Sequence, residues 1–382
     1  MCNYLVYGYI GFDAEKFEVQ SLDKDIDLEK GQNNFKLVTQ LKKQYPSVTF
    51  LLSVGGFRDK ENPEKYLEVL EKPKRRGNFI ASLVKLIKNY QFDGVDLAWQ
   101  FPTIKVKKER SALGSVWHSI KSVVSSNEDT KEKEHKEQFS SLVRELSVAL
   151  RGEKLFFSLS ILPHVNSKAY YDAAAFKDSV DHIHLLTVNY RTPERVENEA
   201  DYSAPLQYVY DRVPEENVEA TVKWWLEQTV PAEKLLIAVP TYGVSWKITK
   251  DSGNSGAPPV KNADGPGQAG QYLKTKGLLS YYEICPNLAN VTVASESLTL
   301  LRRVPDPFKR QGVYAFRAAK DSVSGLWVSY EDPETAARKA QFAKEKGLGG
   351  VAIVDISLDD FKGGCDKTHN NYPILKSVKL NL

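Results

Sequence analysis

The chain has 382 residues, enough to bury a large core either as one barrel or as two smaller domains. Its 52 lysines and arginines exceed its 49 aspartates and glutamates by 3 (52 − 49), a surplus too small to argue for a nucleic-acid partner. It contains no apolar run of the roughly 18 residues that a membrane-spanning helix needs.

Met1 and Cys2 lead directly into "NYLVYGYIGF" (3 to 12), which alternates like a strand and lacks the basic, apolar, small-residue order of a secretory signal. Six further apolar, β-branched or aromatic runs follow: "TFLLSVGGF" (49 to 57), "FDGVDLAW" (92 to 99), "KLFFSLSIL" (154 to 162), "DHIHLLTVNY" (181 to 190), "KLLIAVPTYG" (234 to 243) and "GGVAIVDIS" (349 to 357). Their near-continuous hydrophobicity suits parallel strands covered on both faces. Between them the period becomes helical. In "FSSLVRELSVAL", Phe139, Leu142, Val143, Leu146 and Leu150 form one stripe while Arg144 and Glu145 point away. Near the end, Asp332 is placed as a helix N-cap, Pro333 at the first helical position and Gly347 just beyond the last turn.

Two segments interrupt this alternation. Residues 103 to 135 join a basic cluster to "LGSVWHSIKSVV" and a polar run, and residues 247 to 327 begin Gly/Pro/Ser-rich and continue with "VTVASES", "GVYAF" and "GLWVSY". The expected fold is therefore α/β, a TIM (β/α)8-type barrel with seven of its eight strands present, on residues 1–246 and 328–382. A small α+β insertion follows strand seven, on residues 247–327.

The site of such a barrel forms where strands end, which selects Ser53, Gly55, Asp93, Asp96, Gln100, Asn189, Tyr190, Tyr242 and Asp355. A carboxylate on an apolar strand such as Asp96 is either functional or a satisfied structural group, and the sequence leaves both open. Trp99, Phe101, Trp117, Trp246, Trp327 and Tyr242 offer faces on which sugars stack, although most barrel aromatics are core; Trp99 and Tyr242 lead because they sit at strand ends. Lys105, Lys107, Lys108 and Arg110 read better as a solvated loop than as a site for a sulfated glycan or acidic receptor. The three cysteines, Cys2, Cys285 and Cys365, allow one pair and a leftover, and they lie too far apart, without histidines, to suggest a metal site. No cofactor is expected.

"SVGG" (53 to 56), "DGVDLAW" (93 to 99), "GLLSYYEIC" (277 to 285), "WVSYEDPE" (327 to 334) and "GGVAIVDISLDDF" (349 to 361) resemble, in order, the conserved blocks of glycoside hydrolase family 18 chitinases. In that family a strand-four pattern DGxDxDWE supplies an Asp that positions the sugar's acetamido nucleophile and a Glu that protonates the leaving oxygen. Asp93 and Asp96 match the first two acids, but Ala98 stands for the third Asp and Gln100 for the Glu. Glutamine has no acidic proton to give, and general acid catalysis contributes on the order of 10²- to 10⁴-fold. The sixth-strand MxYD pattern aligns with "LTVN", placing Val188 and Asn189 where Tyr and Asp are usual, and Val354 replaces the aromatic floor of the scissile-sugar site. These five losses describe a site released from chemistry, so no catalytic residue is assigned.

The word "LAWQFP", the basic insertion after strand four, "EADYSAPL" (199 to 206) and "NYPILKSVKL" (371 to 380) resemble the imaginal disc growth factor group of insect chitinase-like proteins. That resemblance implies a secreted, non-hydrolytic protein linked to cell growth, with insulin signalling, and to cuticle or matrix organisation. The implied partners are an unidentified cell-surface receptor or a matrix glycan such as chitin, with Trp99, Gln100, Tyr190 and Tyr242 as glycan-binding candidates. It also implies glycosylation at Asn290 of "NVT" and a Cys285–Cys365 disulfide closing a long loop, worth about 4 kcal/mol in the chain-entropy model. The family's first strand normally precedes "CNYLVYGY" and pairs with the cysteine at position 2. The expectation is thus a longer product, exported, eight-stranded and monomeric, missing here its signal and first strand. The rival readings are a chitin- or glycan-binding lectin and a chitinase using Asp93 or Asp96 as its acid.

Overall fold

Continuous apolar runs become central strands because, once both faces are covered, only hydrogen-bonded backbone remains to be satisfied. The computed structural model describes residues 2–59, 62–102, 106–107, 123–124, 129–289, 300–306, 312–365 and 370–382. They form two compact units, Met1–Ile183 and His184–Leu382.

In the first unit, β1 (Tyr4–Phe12), β3 (Thr49–Gly55), β4 (Gly94–Ala98) and β5 (Phe156–Ile161) run parallel in that order. β2 (Val19–Ser21) is added antiparallel to the end of β1. Every residue of β4 is buried, the carboxylate Asp96 included. Helix α1 (Pro73–Tyr90) opens with proline in its first turn and buries Arg76, Phe79, Ile80, Leu83 and Ile87 along one stripe. Helix α2 (Glu132–Gly152) buries the stripe Phe139, Leu142, Val143, Leu146 and Leu150. Glu145 does not simply face water as its position in the period suggests. Its carboxylate takes a two-pronged bond from Arg76, Nε to Oε2 at 2.9 Å and Nη2 to Oε1 at 2.7 Å, tying α2 to α1.

Strand β6 (His182–Leu185) crosses into the second unit and is shorter than the run 181 to 190 suggests. The cause lies at Thr187, whose hydroxyl donates to Ala238 O at 3.0 Å and accepts from Ala238 N at 2.9 Å. A side chain thus takes the place of a backbone rung, and two residues later Asn189 turns to φ 55°. In the second unit β7 (Leu235–Pro240) pairs parallel with β13 (Gly350–Val354). Between them lies an antiparallel sheet built of β8 (Tyr242–Ile248), β9 (Leu278–Ser280), β10 (Leu301–Pro305), β11 (Val313–Arg317) and β12 (Gly325–Tyr330), in the order β9–β8–β12–β11–β10. Helix α3 (Val218–Glu227) precedes β7, and α4 (Pro333–Glu345) precedes β13. Asp332 caps α4 by accepting Thr335 N at 2.9 Å, and Gly347 adopts φ 65° beyond its end, as the sequence indicates.

Phe139 sits at the centre of the first unit's ring cluster, 5.3 Å from Phe101, 5.4 Å from Tyr171 and 5.9 Å from Phe176. Its replacement, Phe139→Ala, is expected to cost about 3–5 kcal/mol of stability, read as a lowered urea midpoint at unchanged slope.

Candidate functional site

The site is built where β3 and β4 end. Gly55 and Gly56 close β3 at φ 98° and 64°, and Gly56 N donates to Ala98 O at 2.9 Å. A Cβ on Gly55 would lie 2.3 Å from Ala98 O, and one on Gly56 would lie 2.2 Å from the Tyr9 ring. Both positions therefore demand glycine, for backbone conformation and for room.

This turn brings the backbone of Gly56 and Asp59 against Gln100. The Gln100 amide donates both hydrogens, Nε2 lying 2.6 Å from Gly56 O and 2.6 Å from Asp59 O. Its side chain also meets the Tyr66 hydroxyl. Tyr66 in turn donates to Asp59 Oδ2 at 2.6 Å, and Lys65 Nζ donates to Asp59 Oδ1 at 2.7 Å and to Phe12 O at 2.8 Å. Burial first, and then the Asp59 carboxylate, push the Tyr66 hydroxyl well above the ordinary tyrosine value. Asp59, Lys65 and Tyr66 are nearly inaccessible, and the sequence reading missed all three. Their only early signal is an Asp and a Lys six residues apart next to "SVGG".

The strand-four acids have structural occupations. Asp96 is 1 % exposed, and both its oxygens accept from hydroxyls: Oδ2 from Ser53 at 2.6 Å and Ser160 at 2.8 Å, Oδ1 from Ser158 at 2.8 Å and Ser160 at 3.0 Å. Asp93, selected above as a strand-end residue, lies at the other end, before the first residue of β4. There it accepts from Lys42 Nζ at 2.6 Å and Phe50 N at 2.8 Å and braces the start of the sheet. Ala98 is fully buried and carries nothing beyond its methyl group.

Trp99 is not a sugar platform. It is 1 % exposed, stacked on Phe12 at 5.9 Å and edge-on to Tyr66 at 4.9 Å and Phe79 at 5.5 Å. A residue next to a strand end on an alternating pattern points into the barrel–helix layer as readily as into the mouth, and here the apolar layer wins. Phe101 likewise stacks on Tyr170 at 4.2 Å. Among the rings of this unit with an accessible face, three lie near strand ends. Tyr9, Phe57 and His164 are each half-buried, with Tyr9 to Phe57 at 6.3 Å and Phe57 to His164 at 6.4 Å.

In the second unit Val188 is fully buried, and Asn189 reaches the Tyr242 hydroxyl while its buried Oδ1 has no hydrogen-bond partner among the described residues. Burial raises the Tyr242 hydroxyl above its ordinary value. Tyr242 packs with Val354 in one apolar cluster, and only 9 % of it is exposed. Tyr190 is also buried, its hydroxyl bonded to Thr221 Oγ1 at 2.7 Å and Asn217 O at 3.1 Å, so it anchors α3 and has no free face for a glycan. Trp246 and Trp327 are completely buried and meet edge-on, centroids 5.8 Å apart. Asp355 caps its own turn, accepting Ser357 N at 2.8 Å. Cys285 and Cys365 form a disulfide with Cα atoms 5.4 Å apart, and Cys2 is exposed and unpaired. Asn290, Lys105, Lys108, Arg110 and Trp117 lie outside the described residues, as does the side chain of Lys107. Among the described residues one three-donor cluster, Cys285, Asp360 and Cys365, has metal-like spacing, but the disulfide consumes both sulfurs.

A carboxylate at position 100 would face the two carbonyl oxygens that now accept the amide. Gln100→Glu is expected to destabilise by about 1–3 kcal/mol at neutral pH. The introduced carboxyl titrates higher in the folded than in the unfolded chain, so the loss shrinks on acidification and grows as pH rises. Urea unfolding at about pH 5 and about pH 8 reads this difference; an equal loss at both would contradict the assigned hydrogen bonds.

The sequence pattern of glycosyl hydrolases family 18 matches residues 1–359. Imaginal disk growth factor 6 of Drosophila melanogaster is 44 % identical over 394 aligned residues, covering all of this chain and 86 % of that protein. Among solved structures, the second catalytic domain of the Group II chitinase of Ostrinia furnacalis superposes with TM-score 0.81 at 26 % identity, over 100 % of this chain and 88 % of that one. Human YKL-39, described as a pseudo-chitinase with retained chitooligosaccharide binding, shares the fold at TM-score 0.76 and 24 % identity, over 100 % and 91 %. The fold is thus the family's TIM barrel with an antiparallel insertion. With this pattern running through both of its units, the chain belongs to glycosyl hydrolases family 18, alongside the insect imaginal disc growth factor and chitinase-like proteins.

Proposed function

We propose that this protein is a non-hydrolytic, secreted chitinase-like factor that acts on cell proliferation, together with insulin signalling, and on cuticle or matrix organisation through a cell-surface receptor. The observation that carries the non-hydrolytic reading is the Gln100 amide, which spends both hydrogens on Gly56 O and Asp59 O. A group so engaged neither donates an acidic proton nor is placed to do so. Ala98 supplies no carboxylate beside it, and the oxygens of Asp96 are already occupied by three serines, which speaks against Asp96 as a substitute acid. The growth-factor role draws its support from relatives such as imaginal disk growth factor 6. We place the insertion at residues 247–327 on a barrel of residues 1–246 and 328–382, and N-glycosylation at Asn290 goes with export.

A second reading, glycan binding without cleavage, is favoured by one feature. Tyr9, Phe57 and His164 keep partly exposed rings near the ends of β1, β3 and β5, and rings of this kind stack on pyranose faces.

Purified protein is expected to release no product from a fluorogenic chitooligosaccharide at any pH from acidic to neutral, and measurable turnover would overturn the proposal. Calorimetry with chitopentaose decides the second reading: binding weakened about tenfold by Phe57→Ala supports it, whereas no heat, or the same affinity in the variant, removes it.

A further inference from the structure

Three aromatic rings of the second unit meet at its surface, none of them a candidate site residue of the sequence. Tyr272, Tyr282 and Phe361 lie 5.9 Å (Tyr272–Tyr282), 5.7 Å (Tyr272–Phe361) and 5.1 Å (Tyr282–Phe361) apart, with interplanar angles of 71°, 39° and 34°. Tyr272 is 46 % exposed, and the other two are half-buried. The exposed Lys362 sets its ammonium over two of the rings, 5.5 Å from the Tyr282 centroid and 5.7 Å from that of Phe361. Lys274 is also exposed, two residues from Tyr272 and held at φ 52°.

The loop carrying Tyr272 is tied to the helix that follows it by one carboxylate. Glu283 accepts Tyr272 N at 2.6 Å and Leu273 N at 3.3 Å on one oxygen, and Ser280 N at 2.9 Å and Ser280 Oγ at 2.8 Å on the other. Its carboxylate is therefore committed to the loop and the capping box of the helix Tyr281–Ile284. Glu194 approaches Gly277, next to Lys276. Lys274 and Lys362 are left with no carboxylate in an ion pair among the described residues.

We propose that this surface binds an anionic polysaccharide, a chain of pyranose rings bearing sulfate or carboxylate groups. The rings supply apolar faces for the C–H faces of the sugars. The lysines supply charge and up to three donors each for the anionic substituents. A purely apolar partner would desolvate Lys274 and Lys362 without a counter-charge. An acidic peptide would bring the charge but no rigid flat face for three splayed rings.

The test uses the whole protein and calorimetry with a heparin octasaccharide, with polyglutamate and chitopentaose as comparisons. The octasaccharide is expected to bind and to weaken as salt rises. Its affinity falls about tenfold in Lys274→Gln/Lys362→Gln and falls also in Tyr272→Ala. The lysine pair is on the surface, so its loss leaves folding intact. Chitopentaose affinity is expected to be the same in the lysine variant and the parent, which separates this surface from the Tyr9, Phe57 and His164 rings. Absence of octasaccharide binding, undiminished binding in the lysine variant or in Tyr272→Ala, or equal affinity for polyglutamate would each overturn the proposal.

Discussion

One amide holds the architecture of the candidate site. The two hydrogens of Gln100 Nε2 end on the carbonyls of Gly56 and Asp59, and so fix the chain leaving β4 to the turn leaving β3. An ionised carboxylate, with acceptors only, cannot make this tie. The substitution of amide for acid is therefore not merely the loss of a proton donor. It makes the end of strand four a fastening, and the turn it fastens is one whose two glycines leave no room for any other residue.

Around that fastening the first unit buries charged groups as well as apolar ones. Lys65 and Asp59 form a nearly inaccessible ion pair at 2.7 Å, completed by Phe12 O and the Tyr66 hydroxyl. Such pairs gain little net stability over apolar replacements, but the loss of one partner strands the other. They fix one geometry rather than adding strength. The second unit repeats the device independently. Lys339, 1 % exposed, donates to Glu331 Oε1 at 2.7 Å and to Ala204 O at 2.6 Å, binding helix α4 to the segment before α3. Burial pushes the Glu331 carboxyl above the usual range, and Lys339 opposes the shift.

At strand four the carboxylate shared with the family pattern has a structural duty of its own. Asp96, the carboxylate whose part the sequence left undecided, is held by three serines from β3 and β5. It works as a cross-strand connector, and that work does not depend on catalysis. Ala98 and Val188, where the family pattern carries polar groups, are apolar and fully buried.

Residue order alone determined the seven apolar runs that become parallel strands, the caps of α4, the buried stripe of α2 and the absence of acids at positions 98 and 100. These follow from local periodicity, capping chemistry and residue identity, which need no partner in space. The tertiary structure alone decided which way side chains at strand ends face. Trp99 and Tyr190 looked equivalent to a ligand platform until packing turned them into core, and Thr187 ended β6 by bonding to a strand some 50 residues away. It alone also joined Gln100 to Gly56 and Tyr272 to Phe361. Contacts of that kind depend on register and on the room left by distant residues, and neither quantity is written into the neighbouring sequence.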